Sequence, residues 1–301
     1  MGMKHIAVVM GGWSPEREIS LISGADCAAA LREAGYQVSI IDAGRDLVTQ
    51  LQASAPDVIF NALHGVGGED GVVQGVFELL EIPYTHSGVL ASALAMDKVQ
   101  AKKIFAAAGL NVAADITVMP GALTDHPMTP PYVVKPINQG SSVGVEIVKT
   151  DDAPLSSSLT QGTDAVMVEA YVPGRELSCS VRGGTASVVT EIFAKSDFYD
   201  YQAKYDEGGS EHVVPAEIDP SLKQEIQRQS LIAHNVLGCR GITRTDFRFD
   251  DRPDGMGLVV LETNTQPGMT PVSLVPEMAE ARGMSYDNLV TWIVEDASCP
   301  R

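Results

Sequence analysis

Arg244-Thr-Asp246-Phe-Arg248-Phe-Asp250, a turn at Pro253-Asp254-Gly255, then Val259-Val-Leu-Glu262-Thr-Asn264-Thr-Gln-Pro267-Gly268: this stretch decides how the sequence is read. It is predicted to form a β-hairpin that carries charge where a core strand should not. By the strand period of two, Phe247 and Phe249 share one face, and Asp246 and Arg248 share the other with Arg244. Glu262 and Asn264 share one face of the returning strand. Burying such groups unpaired costs several kcal/mol each, so they are expected to meet an ion or a polar ligand. Two carboxylates and an amide oxygen suit Mg²⁺, which keeps octahedral oxygen coordination and takes one or two protein carboxylates plus substrate phosphates. Arg244 is expected beside whatever the metal activates. The plainer alternative is a solvated sheet face of alternating charge. Against it stands the apolar run from Leu258 to Leu261, which reads as a strand covered on both faces.

Working back from the hairpin, Asp219 to Leu237 reads as an amphipathic helix closed by Gly238. Before it, Asp197 to Gly209 is a polar loop rich in tyrosine, a composition that suits a lid better than a linker. Asp164 to Glu176 reads as strand, tight linker and strand. Glu169, just beyond an apolar run, and Glu176 are placed to accept hydrogen bonds from a nucleoside's amino group and ribose hydroxyls. Pro130 to Pro136 is a strand ending in Lys135, and Asn138-Gln-Gly140-Ser141-Ser142-Val-Gly144 follows it. Gly and Ser in a strand-loop-strand let backbone amides close over an anion, and an ordinary hairpin with a polar tip is the alternative.

The N-terminal third alternates strand and helix. Ile6 to Met10 reads as a short buried strand, Tyr36 to Asp42 alternates as a second strand and Asp57 to Leu63 is a third, with helices between them, which argues for a parallel doubly wound layer. Ser14 is the expected cap of the first helix, with Pro15 in its first position. His64 opens a glycine-rich loop, Gly65 to Gly71, at a strand's C-terminal end, where ligands sit in open α/β sheets. As a dinucleotide fingerprint the loop is weak, because its glycine spacing is off and Glu69 and Asp70 would repel a pyrophosphate. A composition shift near Tyr84 to Gly88 marks the end of this layer. Positive charge first gathers at Lys98, Lys102 and Lys103, and Gly109 closes the helix that carries them.

With 301 residues the chain has room for two or three domains, each expected to have its own core. Its 39 acidic and 21 basic residues give a net charge of −18, which disfavours nucleic acid or an anionic membrane as partner. No uninterrupted apolar run reaches the ~18 residues of a membrane helix. The four cysteines are far apart and form no C-x-x-C pair, so neither a zinc site nor a disulfide framework is indicated, and a reducing cytoplasm is the expected compartment.

With these pieces in order, the sequence resembles the D-alanine:D-alanine ligases of the ATP-grasp superfamily over nearly its whole length. Six motifs fall in the family's order: Gly-Gly-x-Ser-x-Glu16-Arg-Glu, Leu-His64-Gly with Gly-Glu-Asp-Gly71, Met-Asp-Lys98, Val-Lys135-Pro with Gly-Ser141-Ser142-Val-Gly, Asp-Phe-Tyr-Asp-Tyr with Ala-Lys204-Tyr205, and Arg244-x-Asp246 with Glu262-x-Asn264-Thr-x-Pro-Gly268. The resemblance implies an α/β, ATP-grasp fold of three α/β or α+β domains. These are an N-terminal Rossmann-like domain with a doubly wound parallel sheet (1–90), a central ATP-grasp domain (91–175), and a C-terminal ATP-grasp domain (176–301) with a lid at 197–212. ATP is then gripped between the last two. Lys98 and Lys135 are implied at its phosphates together with Ser142 and Lys204, and Glu169, Ala170, Tyr171, Val172 and Glu176 at adenine and ribose. Asp246, Glu262 and Asn264 match the ligands of two Mg²⁺ ions, for which Mn²⁺ can substitute. Glu16 matches the residue that receives the ammonium of the first D-alanine, linked through Ser141 to Tyr205 across the lid, and His64 belongs with that substrate. Arg244 and the backbone at Gly268 match the oxyanion site, and Ser273 with Leu274 the seat of the second carboxylate.

The resemblance further implies a cytoplasmic homodimer that makes D-alanyl-D-alanine for peptidoglycan through an acyl phosphate. In this family a tyrosine at the position of Tyr205 goes with the dipeptide and a phenylalanine with the D-lactate ester. Three positions depart from the family's pattern: Trp13 is bulkier than expected, Gln139 stands where an acid is expected, and Gln266 replaces a smaller residue beside the metal turn. Two other classes were weighed. A silent ATP-binding regulator predicts the loss of a metal or oxyanion residue, and all four are present; a nucleotide-dependent oxidoreductase rests on the N-terminal layer and the loop at Gly65 alone.

Overall fold

A strand with apolar residues on both faces must be covered on both, and the N-terminal strands obey that rule. In the computed structural model, which describes residues 3–121, 123–141, 143–194 and 209–301, β1 (His5–Gly11) lies between β2 (Gln37–Ala43) and β3 (Val58–Asn61), all parallel. Helices α1 (Arg17–Glu33) and α2 (Leu47–Ser54) make the crossovers. One face of this sheet packs Ala7, Val9 and Ile59 against Leu51 and against Phe77 of α3 (Val72–Leu79). The other face packs Ile6, Val8 and Phe60 against Cys27 and Leu31 of α1.

That second core is not local. Leu289, Val290 and Ile293, in the last helix of the chain, complete it. The N-terminal layer thus has a core of its own on one face, while on the other α1 shares the cover with a helix from the far end of the sequence. The expected helix start at Ser14 also moves, to Arg17. The Ser14 hydroxyl is already engaged: it donates to the His64 carbonyl at 2.6 Å and accepts from the Glu16 N–H at 3.1 Å.

The second sheet is antiparallel, in the order β4 (Asp115–Val118), β7 (Val166–Ala170), β5 (Tyr132–Pro136), β6 (Glu146–Val148), with the short α6 (Ser157–Thr160) beside it. Tyr132, Val134, Val148, Leu159 and Val168 form its core. The third sheet runs β10 (Ser210–Val213), β9 (Thr185–Ala194), β8 (Arg175–Arg182), β11 (Ile242–Asp250), β12 (Gly257–Asn264), again antiparallel throughout. Its back is covered by α7 (Pro220–Val236), α4 (Val89–Met96) and α5 (Lys98–Ala107), whose Ala95, Ala101 and Phe105 meet Leu177, Phe247 and Val260. Helices drawn from the segment just after the N-terminal layer thus seat Lys98 and Lys102 against the third sheet. Gly174 joins the second and third sheets at φ +99°, and a Cβ there would sit 2.1 Å from the Phe249 carbonyl oxygen, so the junction requires glycine.

Candidate active site

The hairpin that opened the sequence reading is β11–β12. In its ladder Asp246 pairs with Glu262 and Arg244 with Asn264, and residues directly opposite in an antiparallel pair share a face. That face looks into a cleft between the second and third sheets, lined on the hairpin side by Asp246, Arg248, Leu261 and Glu262. The opposite wall is Val133, Lys135, Glu169, Ala170, Tyr171 and Val172, with Glu176 at the junction.

Each charge in the cleft has an opposite charge beside it. Arg244 donates to Asp246 through Nε at 2.9 Å and Nη2 at 2.8 Å, and Ser178 Oγ donates to the same carboxylate at 2.6 Å. Lys98 Nζ lies 3.4 Å from Glu262 Oε2 and donates to the Gln139 carbonyl at 2.7 Å. Arg248 spans Glu176 Oε2 and the Val172 carbonyl, both at 3.1 Å. Lys135 reaches Glu169 Oε2 at 2.5 Å, and Lys102 reaches Glu169 Oε1 at 2.6 Å and Asp115 Oδ1 at 2.8 Å. Burial by itself raises the Glu169 carboxyl, but the Lys135 and Lys102 ammonium groups outweigh it and hold that carboxyl below the usual range.

Asp246, Glu262 and Asn264 form a hard-oxygen set. Among the described residues no three His, Cys, Asp or Glu side chains converge to hold a metal by themselves. A cation at this hairpin must therefore complete its shell from elsewhere, as Mg²⁺ does with phosphate oxygens and water. Asn264 Oδ1 accepts the Gln266 N–H at 2.8 Å, which uses one of its two lone pairs and leaves the other for an ion. The residues fit the ion.

Farther along the same face lies a second pocket, shared with the N-terminal layer and lined by Glu16, His64, Ser141, Arg244, Gly268 and Ser273 among others. Ser141 Oγ donates to Glu16 Oε1, which joins the flap to the N-terminal layer. Gly65, at φ +71°, makes room for that carboxylate: a Cβ there would lie 2.2 Å from Glu16 Oε2. His64 Nδ1 is 2.9 Å from Glu69 Oε1, while its Nε2 is buried and meets no hydrogen-bond partner among the described residues. Ser273 precedes α8 (Leu274–Glu280), but its hydroxyl turns to the Thr270 hydroxyl, 2.7 Å away, and does not cap the helix. Leu274 lines the same pocket. Asn264 and Arg244 also line this pocket, so the hairpin is the wall common to both cavities.

Most of the expected residues thus line one of two adjoining cavities. Ser142, Lys204 and Tyr205, with the lid through residue 208, lie outside the described residues. The sequence reading did not single out Lys102, Glu69 or the His212–Glu277 pair at 2.7 Å. Lys102 was signalled only by the gathering of lysines, and nothing in its spacing points to Glu169, 67 residues on. Two departures from the family pattern are absorbed. Gln139 meets Lys98 through its main chain, where the residue type matters little, and Trp13 lies against Gly67, whose missing side chain leaves the space.

Family models agree with this geometry. One described as "D-ala D-ala ligase C-terminus" matches residues 104–295, and one described as "D-ala D-ala ligase N-terminus" matches residues 45–87. The chain is 58% identical over 304 residues to a D-alanine–D-alanine ligase of Parvibaculum lavamentivorans, covering 99% of each chain. It is 56% identical over 308 residues to one of Rhizobium meliloti, covering 100% of each. Among solved structures, the D-alanine–D-alanine ligase of Bacillus anthracis complexed with ATP superposes with a TM-score of 0.84 at 30% identity over 97% of both chains. By sequence over its full length and by fold, this chain belongs to the D-alanine–D-alanine ligase family.

Proposed function

We propose that the protein joins two D-alanine molecules into D-alanyl-D-alanine at the expense of ATP, through a D-alanyl phosphate, to supply peptidoglycan synthesis. The observation that carries this reading is the hairpin shared by two adjoining cavities, one lined by lysines and carboxylates and one by Glu16, His64, Arg244 and hydroxyls. A reaction whose first step uses a nucleotide phosphate and whose second step uses only small polar substrates needs such a shared wall.

In this reading Glu169, Ala170, Tyr171 and Val172, with Glu176, flank the nucleoside, Lys98 and Lys135 neutralise the phosphates, and Ser142 and Lys204 complete the ATP site by motif order. Asp246, Glu262 and Asn264 would hold two Mg²⁺ ions, or Mn²⁺, which when bound neutralise charge on the transferred phosphoryl group. Glu16, steadied by Ser141, receives the ammonium of the first D-alanine and leaves its carboxylate to attack the γ-phosphorus as ADP departs. The amine of the second D-alanine, seated by Ser273 and Leu274, then attacks the acyl carbon. Arg244, at the edge of the same pocket, stabilises the oxyanion with the Gly268 backbone, and phosphate leaves with the amine proton lost to solvent. Tyr205 and the 197–212 lid exclude water from the acyl phosphate.

The reading also includes a division into three domains at about residues 90 and 175, a cytoplasmic location and a homodimer. Among the described residues no helix is long and apolar enough to cross a membrane. Val72 and Leu79, two helical turns apart on α3, and Leu90 on α4 are exposed at 56, 82 and 70%, an apolar surface of the kind that a second subunit covers. Phosphate release from ATP with Mg²⁺ is expected with D-alanine and not with L-alanine or D-lactate, and mass analysis is expected to show the dipeptide. Release with D-lactate, or none with D-alanine, overturns the substrate assignment.

A further inference from the structure

Gln266 follows the metal turn, and its side chain leaves the ligand cavities altogether. Buried at 2% exposure, it crosses to the N-terminal layer: Oε1 accepts from Asn61 Nδ2 at 2.6 Å, and Nε2 donates to the Leu63 carbonyl. Both partners sit at or just beyond the C-terminal end of β3, next to His64. Asn61 is itself fully buried. It passes the connection on, donating at 3.1 Å to the Gly68 carbonyl, which also accepts from Gln74 at 2.8 Å. On its other side, Gln266 gives its backbone N–H to Asn264 Oδ1. One residue thus fastens the metal turn to the glycine-rich loop that carries His64 and Glu69.

We infer that Gln266 is a positioning residue: its buried amide clasps the Asn264–Gly268 turn to the His64 loop and fixes the width of the D-alanine pocket between them. The inference rests on the ligase reading above. Physically, the clasp works because both of its ends are dry. A buried amide paired on both sides admits one orientation, and rotating it would set NH₂ against NH₂ and oxygen against oxygen. His64 and Gly268 both line this pocket, one from the N-terminal layer and one from the turn, so a shift of the turn changes the seat of substrate and oxyanion together. The nucleotide cleft touches neither Asn61 nor Gln266. A smaller residue at 266 could not reach across, which gives this departure from the family pattern a task.

The test compares wild type with Gln266→Met, similar in length but without polar ends, and Gln266→Glu, which cannot donate to Leu63. Both are expected to lose about 10- to 100-fold in kcat/KM for D-alanine, the scale of a small misplacement of reacting groups, while KM for ATP stays within about twofold. In a cycle with Asn61→Leu, the double variant Asn61→Leu/Gln266→Met should lose clearly less than the product of the two single losses, because one clasp is being removed twice. Nucleotide binding by each variant reports that it is folded, and if Gln266→Met fails that check, Asn61→Ser carries the test from the other end. A wild-type D-alanine kcat/KM in the folded variants, or equal losses towards ATP and D-alanine with no coupling to Asn61, overturns the inference. If wild type itself releases no phosphate with D-alanine, it is the ligase reading that fails.

Discussion

The two adjoining cavities that share the β11–β12 hairpin are held together by different chemistry. On the nucleotide side the contacts are ion pairs: Lys98 with Glu262, Lys135 and Lys102 with Glu169, Arg248 with Glu176, Arg244 with Asp246. On the substrate side hydroxyl and main-chain contacts, Ser141 to Glu16, Ser14 to the His64 carbonyl and Thr270 with Ser273, stand beside two histidine–carboxylate pairs, His64 with Glu69 and His212 with Glu277. Ion pairs in a cleft hold charges in place while leaving them exchangeable, because an arriving phosphate or metal offers each partner an equivalent contact. Short hydroxyl bonds fix shape and have no comparable competitor. The nucleotide side is thus built to re-pair its charges, and the substrate side is built beforehand.

The comparison is broken most directly at Glu262. Glu262→Gln keeps the shape and removes one of the two carboxylates, and ligation is expected to fall by roughly 10³-fold, the scale for losing one aligned electrostatic group at a transition state. Steady-state phosphate release checks this, and near-normal turnover would overturn the metal assignment and with it the picture of re-paired charges.

Glu169→Gln acts on a buried centre rather than on the chemistry. It removes the carboxylate beside Lys135 and one of the two beside Lys102, and stability measured by urea unfolding at pH 7 is expected to drop by about 3 kcal/mol, the usual cost of breaking a buried pair. The pH dependence sharpens the point. With its folded-state value held below the unfolded ~4.3, Glu169 contributes fully above that value, and its contribution is lost as pH falls through the folded value. Wild type should therefore lose stability more steeply than the Gln variant below about pH 4, and parallel curves would remove the electrostatic account.

The smallest expected effect lies on the substrate side. Ser273→Ala deletes a neutral hydroxyl, worth about 1 kcal/mol, so KM for the second D-alanine should rise about five- to tenfold with KM for ATP unchanged. An ATP effect of the same size would mean that the two sides are not separable.

What the sequence disclosed follows the same division. The hairpin was legible because a strand's period of two puts Asp246 on one face with Arg244 and Arg248, and Glu262 on one face with Asn264; that Asp246 stands opposite Glu262 is a register, shifted by a bulge after Asp246, that only the fold supplies. The three parallel strands were legible from an apolar run at Ile6 to Met10, alternation at Tyr36 to Asp42 and the strand-helix order around them. Contacts that join distant segments were not: no local pattern links Gln266 to Asn61, 205 residues away, or Lys102 to Glu169. The start of α1 was misread for a related reason, since Ser14 is a good cap by type but its hydroxyl is claimed by His64, 50 residues on. The family's motif order supplied the pocket assignments that periodicity alone left open.

The helix at Tyr286–Glu295 has a consequence for synthesis of the chain. It covers one face of a sheet whose strands end at Asn61, so Ile6, Val8 and Phe60 have no complete cover until Ile293 has been made. During translation the N-terminal layer leaves the ribosome first and waits, one apolar face open, for more than two hundred residues to follow. The segment that opens the chain is therefore among the last to be sealed, and a ribosome stalled before residue 286 would present that bare face to chaperones.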